Sequence, residues 1–169
     1  MVIAYLGVGA NLGRPEKQIQ LASALLVNHC AVQILKSSSM FRSAPIGLSP
    51  YSGKGLGFYV NAVWQIRTSL SAYKLLSVLK SIELRLGRNR FRSSKNLART
   101  LDLDLLLYGA QRINTKHLTV PHQRMHQRRF VLEPLAEIAP RLLVPGVGAV
   151  QNLIKQNYIV AQAVELLPS

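Results

Sequence analysis

The chain is short of acid. Its 169 residues include only seven Asp and Glu against 21 Lys and Arg, a formal net charge of +14. That excess points to an anionic partner: nucleic acid, a membrane surface or a phosphorylated small molecule. Cysteine is scarcer still. Cys30 stands alone, which excludes an internal disulfide and any cysteine-cluster zinc site and suits a reducing compartment. No apolar run approaches the roughly 20 residues needed to span a bilayer. The apolar start MVIAYLGVGANLG has neither a basic stretch nor a cleavage site, so it does not read as a signal peptide. A cytoplasmic location without a membrane partner is expected. Also missing are the G-x-x-x-x-G-K-[ST] phosphate loop, a G-x-G-x-x-G turn after a strand, and the H-R-D and D-F-G signatures of protein kinases.

A hydrophobic content of 49% excludes a disordered polymer. A chain of this length buries roughly 70% of its unfolded surface, so one domain spanning 1–169 is expected. Residues 2–9 read as a buried strand, followed by a GANLG turn and a helix entered at Pro15 with Ile19, Ala22, Leu25 and Leu26 as its stripe. Residues 31–42 read as a second strand and 43–57 as a Gly-, Pro- and Ser-rich loop. In 58–67, Val60, Ala62, Trp64 and Ile66 alternate with Tyr59, Asn61, Val63 and Gln65, a strand pattern. A second amphipathic helix spans 70–86 through Leu75, Leu76, Leu79, Ile82 and Leu86 and stops at Gly87. A basic, non-periodic loop runs from about 88 to 98, and RTLDLDLLLY (99–108) reads as a strand. The order β-α-β, loop, β-α-β predicts an α+β fold of the ferredoxin-like, split-βαβ kind: an antiparallel sheet with helices on one face. Short extended pieces, a helix near 123–133 and a helical tail near 148–166 complete a C-terminal appendage.

The only aspartates are Asp102 and Asp104, two residues apart in an apolar segment. In a strand they share a face, with Cα atoms roughly 6.5–7 Å apart, while Leu101, Leu103 and Leu105 face the core. Two such carboxylates can hold one or two hard cations against a polyphosphate. A bare D-x-D is more often an ordinary strand whose polar face is solvated and paired with arginines, but here acids are scarce elsewhere and a basic stretch lies directly upstream. Arg85, Arg88, Arg90, Arg92, Lys95 and Arg99 place six of the 21 basic residues within 15 positions. Arginine forks bind phosphate oxygens in pairs; the same stretch also suits RNA. In TVPHQRMHQRRF (119–130), His122 can reach a phosphate or ribose, and no third ligand accompanies the His122/His126 pair. Tyr59 and Phe130 are rings near polar segments that could stack a flat heterocycle or simply pack, and Asn61 can bond a ring edge.

These residues, with AYLGVGANLG (4–13), FRSAPIG (41–47), FYVNAV (58–63), IELRLGRNR (82–90), RTLDLDLLLYG (99–109), TVPH (119–122) and RRFVLEPLAEIAP (128–140), resemble the 6-hydroxymethyl-7,8-dihydropterin pyrophosphokinase family. The match runs in order over nearly the whole chain to about residue 145. It implies the ferredoxin-like fold and transfer of diphosphate from ATP to the hydroxymethyl group of a reduced pterin, with release of AMP, in folate biosynthesis. It implies two Mg2+ ions held by Asp102 and Asp104. Arg88 and Arg99 match arginines acting on the transferred phosphates, with Asp102 and Asp104 beside them in the catalytic set. Glu83, Arg90, Lys95, Leu105, Thr119, His122 and Arg128 match the ATP site. Ser43, Ala44, Ile46, Tyr59, Asn61 and Phe130 match the pterin pocket. The partners implied are ATP and the pterin, with no nucleic acid, and a monomer is expected. The chain departs from the family's R-W-G-P-R-T-L-D-L-D at Asn96, Leu97 and Ala98, and also at Gln123, Lys80 and His117. Two other classes compete: a basic RNA-binding module on a ferredoxin-like sheet, and a different D-x-D nucleotidyltransferase that releases pyrophosphate.

Overall fold

The computed structural model describes residues 1–44, 58–87, 101–156 and 162–168. The opening strand is β1, Val2–Ala10. The first helix, α1, covers Pro15–Val27 with proline in its first turn, where the missing N–H costs nothing. Ile19, Ala22 and Leu26 form its buried stripe. The second helix, α2, covers Ala72–Arg85; the Ser71 hydroxyl accepts from Lys74 N at its start, and beyond its end Gly87 turns the chain at φ 90°, a value open mainly to glycine.

Four further strands build the sheet: β2 (Val32–Ser37), β3 (Phe41–Ser43), β4 (Tyr59–Thr68) and β5 (Asp102–Tyr108). The order is β3-β4-β1-β5 with every pair antiparallel, and β2 shares the same side of β4 as β3. This is the ferredoxin-like arrangement. The single strand expected over 31–42 is divided. At the break the Ser38 N–H donates to Val63 O at 3.0 Å, and the Ser38 hydroxyl accepts from Val63 N at 2.9 Å. A side chain thus replaces one rung of the ladder. Among the described residues the last strand of the core begins at Asp102; positions 99 and 100 of the expected strand lie outside them.

One face of the sheet packs on α1 and α2, joining Leu6, Val8, Trp64, Ile66, Leu103 and Leu105 to Leu26, Leu75 and Leu79. The two helices of the split-βαβ core thus share one face, as expected, while a third helix in the C-terminal appendage, α3, Arg129–Ile138, lies on the other. Its Val131, Leu132 and Leu135 bury Tyr5, Val63, Leu106 and Leu107 on the opposite face. Leu106 and Leu107 join the same cluster although adjacent, because the β1–β5 register slips between Tyr5 and Leu6; a bulge of this kind re-aims the residues beyond it.

The helix expected near 123–133 is also corrected. A short 3-10 turn covers Met125–Gln127, Arg128 is extended at φ −122° and ψ 108°, and only then does α3 begin. Two small hairpins follow the core, β6 (Ile113–Asn114) with β7 (Thr119–Val120) and β8 (Leu143–Val144) with β9 (Gly148–Ala149). Of the helical tail expected over 148–166, the described residues hold α4, Val150–Leu153, and 157–161 lie outside them. Val164–Leu166 is instead a strand, β10, paired antiparallel with β3. A sheet edge carries unpaired backbone groups, and the tail satisfies those of β3. Among the described residues no helix is long and apolar enough to cross a membrane.

Candidate active site

The site lies on the α3 face, where the helix stops covering the sheet. Antiparallel registry sets its floor. Gly9 of β1 is opposite Asn61 of β4 on one side and Asp102 of β5 on the other; Gly7 is opposite Val63 and Asp104. Two strand spacings separate Asn61 from Asp102, roughly 10 Å. Neither glycine has a side chain to fill the space between. A cavity of about 160 Å³ results, lined among others by Gly7, Gly9, Ser43, Tyr59, Asn61 and Phe130, with Asp102, Asp104 and Arg128 at its charged end. Tyr5 closes the same row. Burial raises its phenol pKa, offset in part by the bond that Gln65 Nε2 donates to its oxygen at 2.9 Å.

Asn61 is buried and fixed. Its Nδ2 donates to Ser43 Oγ at 2.9 Å, leaving the carbonyl end beside the floor, where a Cβ on Gly9 would stand 3.3 Å from Asn61 Oδ1. The Arg128 guanidinium lies 5.6 Å from the centroid of the Phe130 ring. The cavity is therefore part aromatic, part amide and acidic at one end, a fit for a flat heterocycle with hydrogen-bonding edges.

A second cavity, of about 260 Å³, opens along the outer edge of β5. Lys80 of α2, Thr115, Lys116, His117, Thr119 and His122 supply its polar lining, with Leu76, Leu105, Leu118 and Gln123. Asp104 borders both cavities. His122 Nδ1 accepts from Arg124 N at 3.3 Å, which puts the ring proton of the neutral form on Nε2, 3.8 Å from Asp104 Oδ2. Burial lowers the His122 pKa, outweighing the pull of Asp104, so the neutral imidazole prevails at neutral pH. The His122 N–H donates to Leu106 O at 2.9 Å, tying this segment to β5, and the Val120–Pro121 peptide before it is cis.

Among the described residues no group of three or more His, Cys, Asp and Glu could hold a metal by itself. Asp102 and Asp104 offer two carboxylates on an open face. That donor set fits a hard cation which completes its shell with water and phosphate oxygens, as magnesium does beside nucleotides.

Most of the residues singled out by sequence thus meet around two adjoining cavities. Ser43, Ala44, Tyr59, Asn61, Phe130, Asp102 and Asp104 share the first; Leu105, Thr119 and His122 share the second. Arg128, matched to the nucleotide, sits instead in the wall of the first. Glu83 lines neither; its carboxylate is buried and accepts from Leu103 N at 2.8 Å, between the two aspartates in sequence. Ile46, Arg88, Arg90, Lys95 and Arg99 lie outside the described residues, as do Asn96, Leu97 and Ala98. Gly7 and Gly9 were not singled out. Two glycines at strand period inside an apolar run are the signal for them, since such glycines mark a close approach of backbone to another group.

A sequence profile of the 7,8-dihydro-6-hydroxymethylpterin-pyrophosphokinase family matches residues 5–140. The chain belongs to this pyrophosphokinase family. A relative named 2-amino-4-hydroxy-6-hydroxymethyldihydropteridine pyrophosphokinase, from Haemophilus influenzae, is 40% identical over 156 residues, covering 92% of this chain and 93% of its own. One of the same name from Bacillus subtilis is 40% identical over 140 residues, covering 83% of this chain and 80% of its own. The fold recurs in Plasmodium falciparum HPPK-DHPS crystallised with pteroate, with a TM-score of 0.71 and 14% identity over 95% of this chain; the chain spans only 45% of that protein. As a pyrophosphokinase-family member the chain is an ATP-dependent diphosphotransferase, and these relatives support neither the RNA-binding module nor the alternative nucleotidyltransferase.

Proposed function

We propose that the chain transfers the terminal diphosphate of ATP to the hydroxymethyl group of 6-hydroxymethyl-7,8-dihydropterin and releases AMP. One observation carries this reading: Asp104 borders both an aromatic, amide-lined cavity and a basic, hydroxyl-lined one. A group can pass between two ligands only where their sites meet. The pterin is assigned to the first cavity, between Tyr59 and Phe130, with its ring edge on Asn61 and its hydroxymethyl arm toward Asp102. The nucleotide is assigned to the second, along Thr119 and His122.

In the transfer, the hydroxymethyl oxygen forms a bond to the β-phosphorus and gives up its proton to solvent water. The bond from that phosphorus to the α-phosphate oxygen breaks, and AMP leaves with the electron pair. Such chemistry asks for positioning and charge neutralisation rather than a protein nucleophile. Asn61, locked by Ser43, fixes the angle of the heterocycle; the two rings exclude water from its faces. Neutral His122 can donate Nε2–H to an anionic oxygen beside Asp104. Two magnesium ions on Asp102 and Asp104 would neutralise the polyphosphate and make its phosphorus more electrophilic. Arg88 and Arg99 are assigned to the moving phosphates, and Arg90 and Lys95 to the nucleotide. A monomer in the cytoplasm completes the reading, supported by the single free Cys30 and by exposed apolar side chains scattered over separate elements, Leu21, Tyr73 and Leu143 among them.

The test is AMP formation from ATP, the hydroxymethyl pterin and Mg2+. Asp102→Asn and Asp104→Asn are each expected to lower kcat by about a thousandfold or more, the scale of losing a major electrostatic contributor, with an unchanged circular dichroism spectrum. A wild-type protein that makes no AMP, or aspartate variants that turn over normally, would overturn it.

A further inference from the structure

Gln162 lies outside the segment matched by the family, which ends at residue 140. Its side chain grips the backbone on either side of Arg128. Gln162 Oε1 accepts from Arg129 N at 2.9 Å, Nε2 donates to Gln127 O at 2.7 Å, and Gln162 O accepts from Arg129 Nη1 at 3.2 Å. The first of these bonds has a clear reason. A helix leaves its first N–H groups without intrahelical partners, and Arg128, the residue before α3, makes no side-chain cap. Gln162 supplies the missing acceptor from a distant part of the chain. By holding both peptide groups it keeps Arg128 extended, and Arg128 and Phe130 form one wall of the heterocycle cavity.

Two residues further on, the same tail holds the opposite wall. Val164 is paired with Ser43 and Leu166 with Phe41, and Leu167 N donates to Met40 O at 2.9 Å. Ser43 in turn accepts the bond that fixes Asn61. One short stretch, 162–167, therefore spans from the Arg128–Phe130 wall to the Ser43–Asn61 wall.

We propose that Gln162 is a positioning residue for the pterin: it sets the separation of the two walls between which the ring is held, without touching the ring. This rests on the assignment of the first cavity to the pterin. The tests use the full chain. Gln162→Ala is expected to raise the KM for the pterin about tenfold, the scale set by a misplaced binding group, with kcat at saturating pterin and the KM for ATP within twofold of wild type. Gln162→Glu keeps the acceptor for Arg129 N–H and loses the donor to Gln127 O, and should fall between the two. Leu167→Pro loosens the other end of the stretch and should give the same selective loss. Should Gln162→Ala lower the melting temperature, the comparison is made well below it by fluorescence titration of the pterin in the presence of Mg2+ and a non-hydrolysable ATP analogue. A pterin KM within twofold of wild type overturns the proposal. So does a parallel weakening of both substrates with reduced kcat, the mark of a merely structural role. Asn61→Ala separates the two levels. If it weakens pterin binding and Gln162→Ala does not, only the positioning role fails; if Asn61→Ala has no effect, the assignment of the cavity fails and the positioning role with it.

Discussion

At the scale of single residues, Gly9 shows how a missing atom can serve as a binding group. Its φ is not in the left-handed region that favours glycine, so the backbone does not demand glycine there, and a strand glycine ordinarily weakens a sheet. The demand comes from the floor of the cavity, flanked by Asn61 and Asp102. Gly9→Ala would place a methyl group 3.3 Å from Asn61 Oδ1 and within the space assigned to the ring. Calorimetry is expected to show stability within about 1 kcal/mol of wild type, the gain from replacing a strand glycine being set against the few tenths of an ångström by which Asn61 must give. Isothermal titration is expected to show pterin affinity reduced about tenfold or more, since overpacking a fitted site costs about 1–3 kcal/mol. Unchanged affinity would mean that the ring does not lie on this floor. The aspartates and the two rings could be singled out from the sequence because their chemistry is conspicuous. Gly9 could not, because its contribution is empty space that only the neighbouring strands define.

Elements were legible where a local pattern decides them and obscure where a tertiary partner does. The period of α2 and the alternation in β4 follow from side chains within each segment, and both were readable to within one or two residues. The division of 31–42 depends on Ser38 bonding a strand that lies some 25 residues away. The extended Arg128 depends on Gln162, and the final strand depends on the open edge of β3. Glu83 is the same lesson within the site: matched to the nucleotide, its side chain instead satisfies an N–H at the edge of β5. It holds the strand that presents both aspartates. Glu83→Ala would strip the acceptor from a buried N–H, at a cost of about 1–3 kcal/mol, whereas Glu83→Gln retains an acceptor oxygen. Urea denaturation should therefore rank stability as wild type, then Gln, then Ala. An Ala variant as stable as wild type would show that the bond does not hold β5.

Over the whole molecule, the charge of +14 acts on the two substrates unequally. ATP is a polyanion, whereas the pterin carries little charge, and long-range attraction is screened over a Debye length of about 10 Å at 0.1 M salt. Raising ionic strength from about 0.05 to about 0.5 M should lower kcat/KM for ATP severalfold and change that for the pterin much less, as read from initial rates at constant free Mg2+. Equal losses for both would assign the charge to some purpose other than drawing in the nucleotide.

The pairing of β10 with β3 has a consequence for solubility. An unguarded margin of β3 would offer backbone donors and acceptors to any passing chain, a route to aggregation. With β10 in place, the outermost strand among the described residues is three residues long, carries Glu165 at its centre, and is followed closely by Pro168, which has no N–H to give. So short, charged and interrupted a border is a poor template for intermolecular pairing, and the sheet is sealed on that side against its own kind.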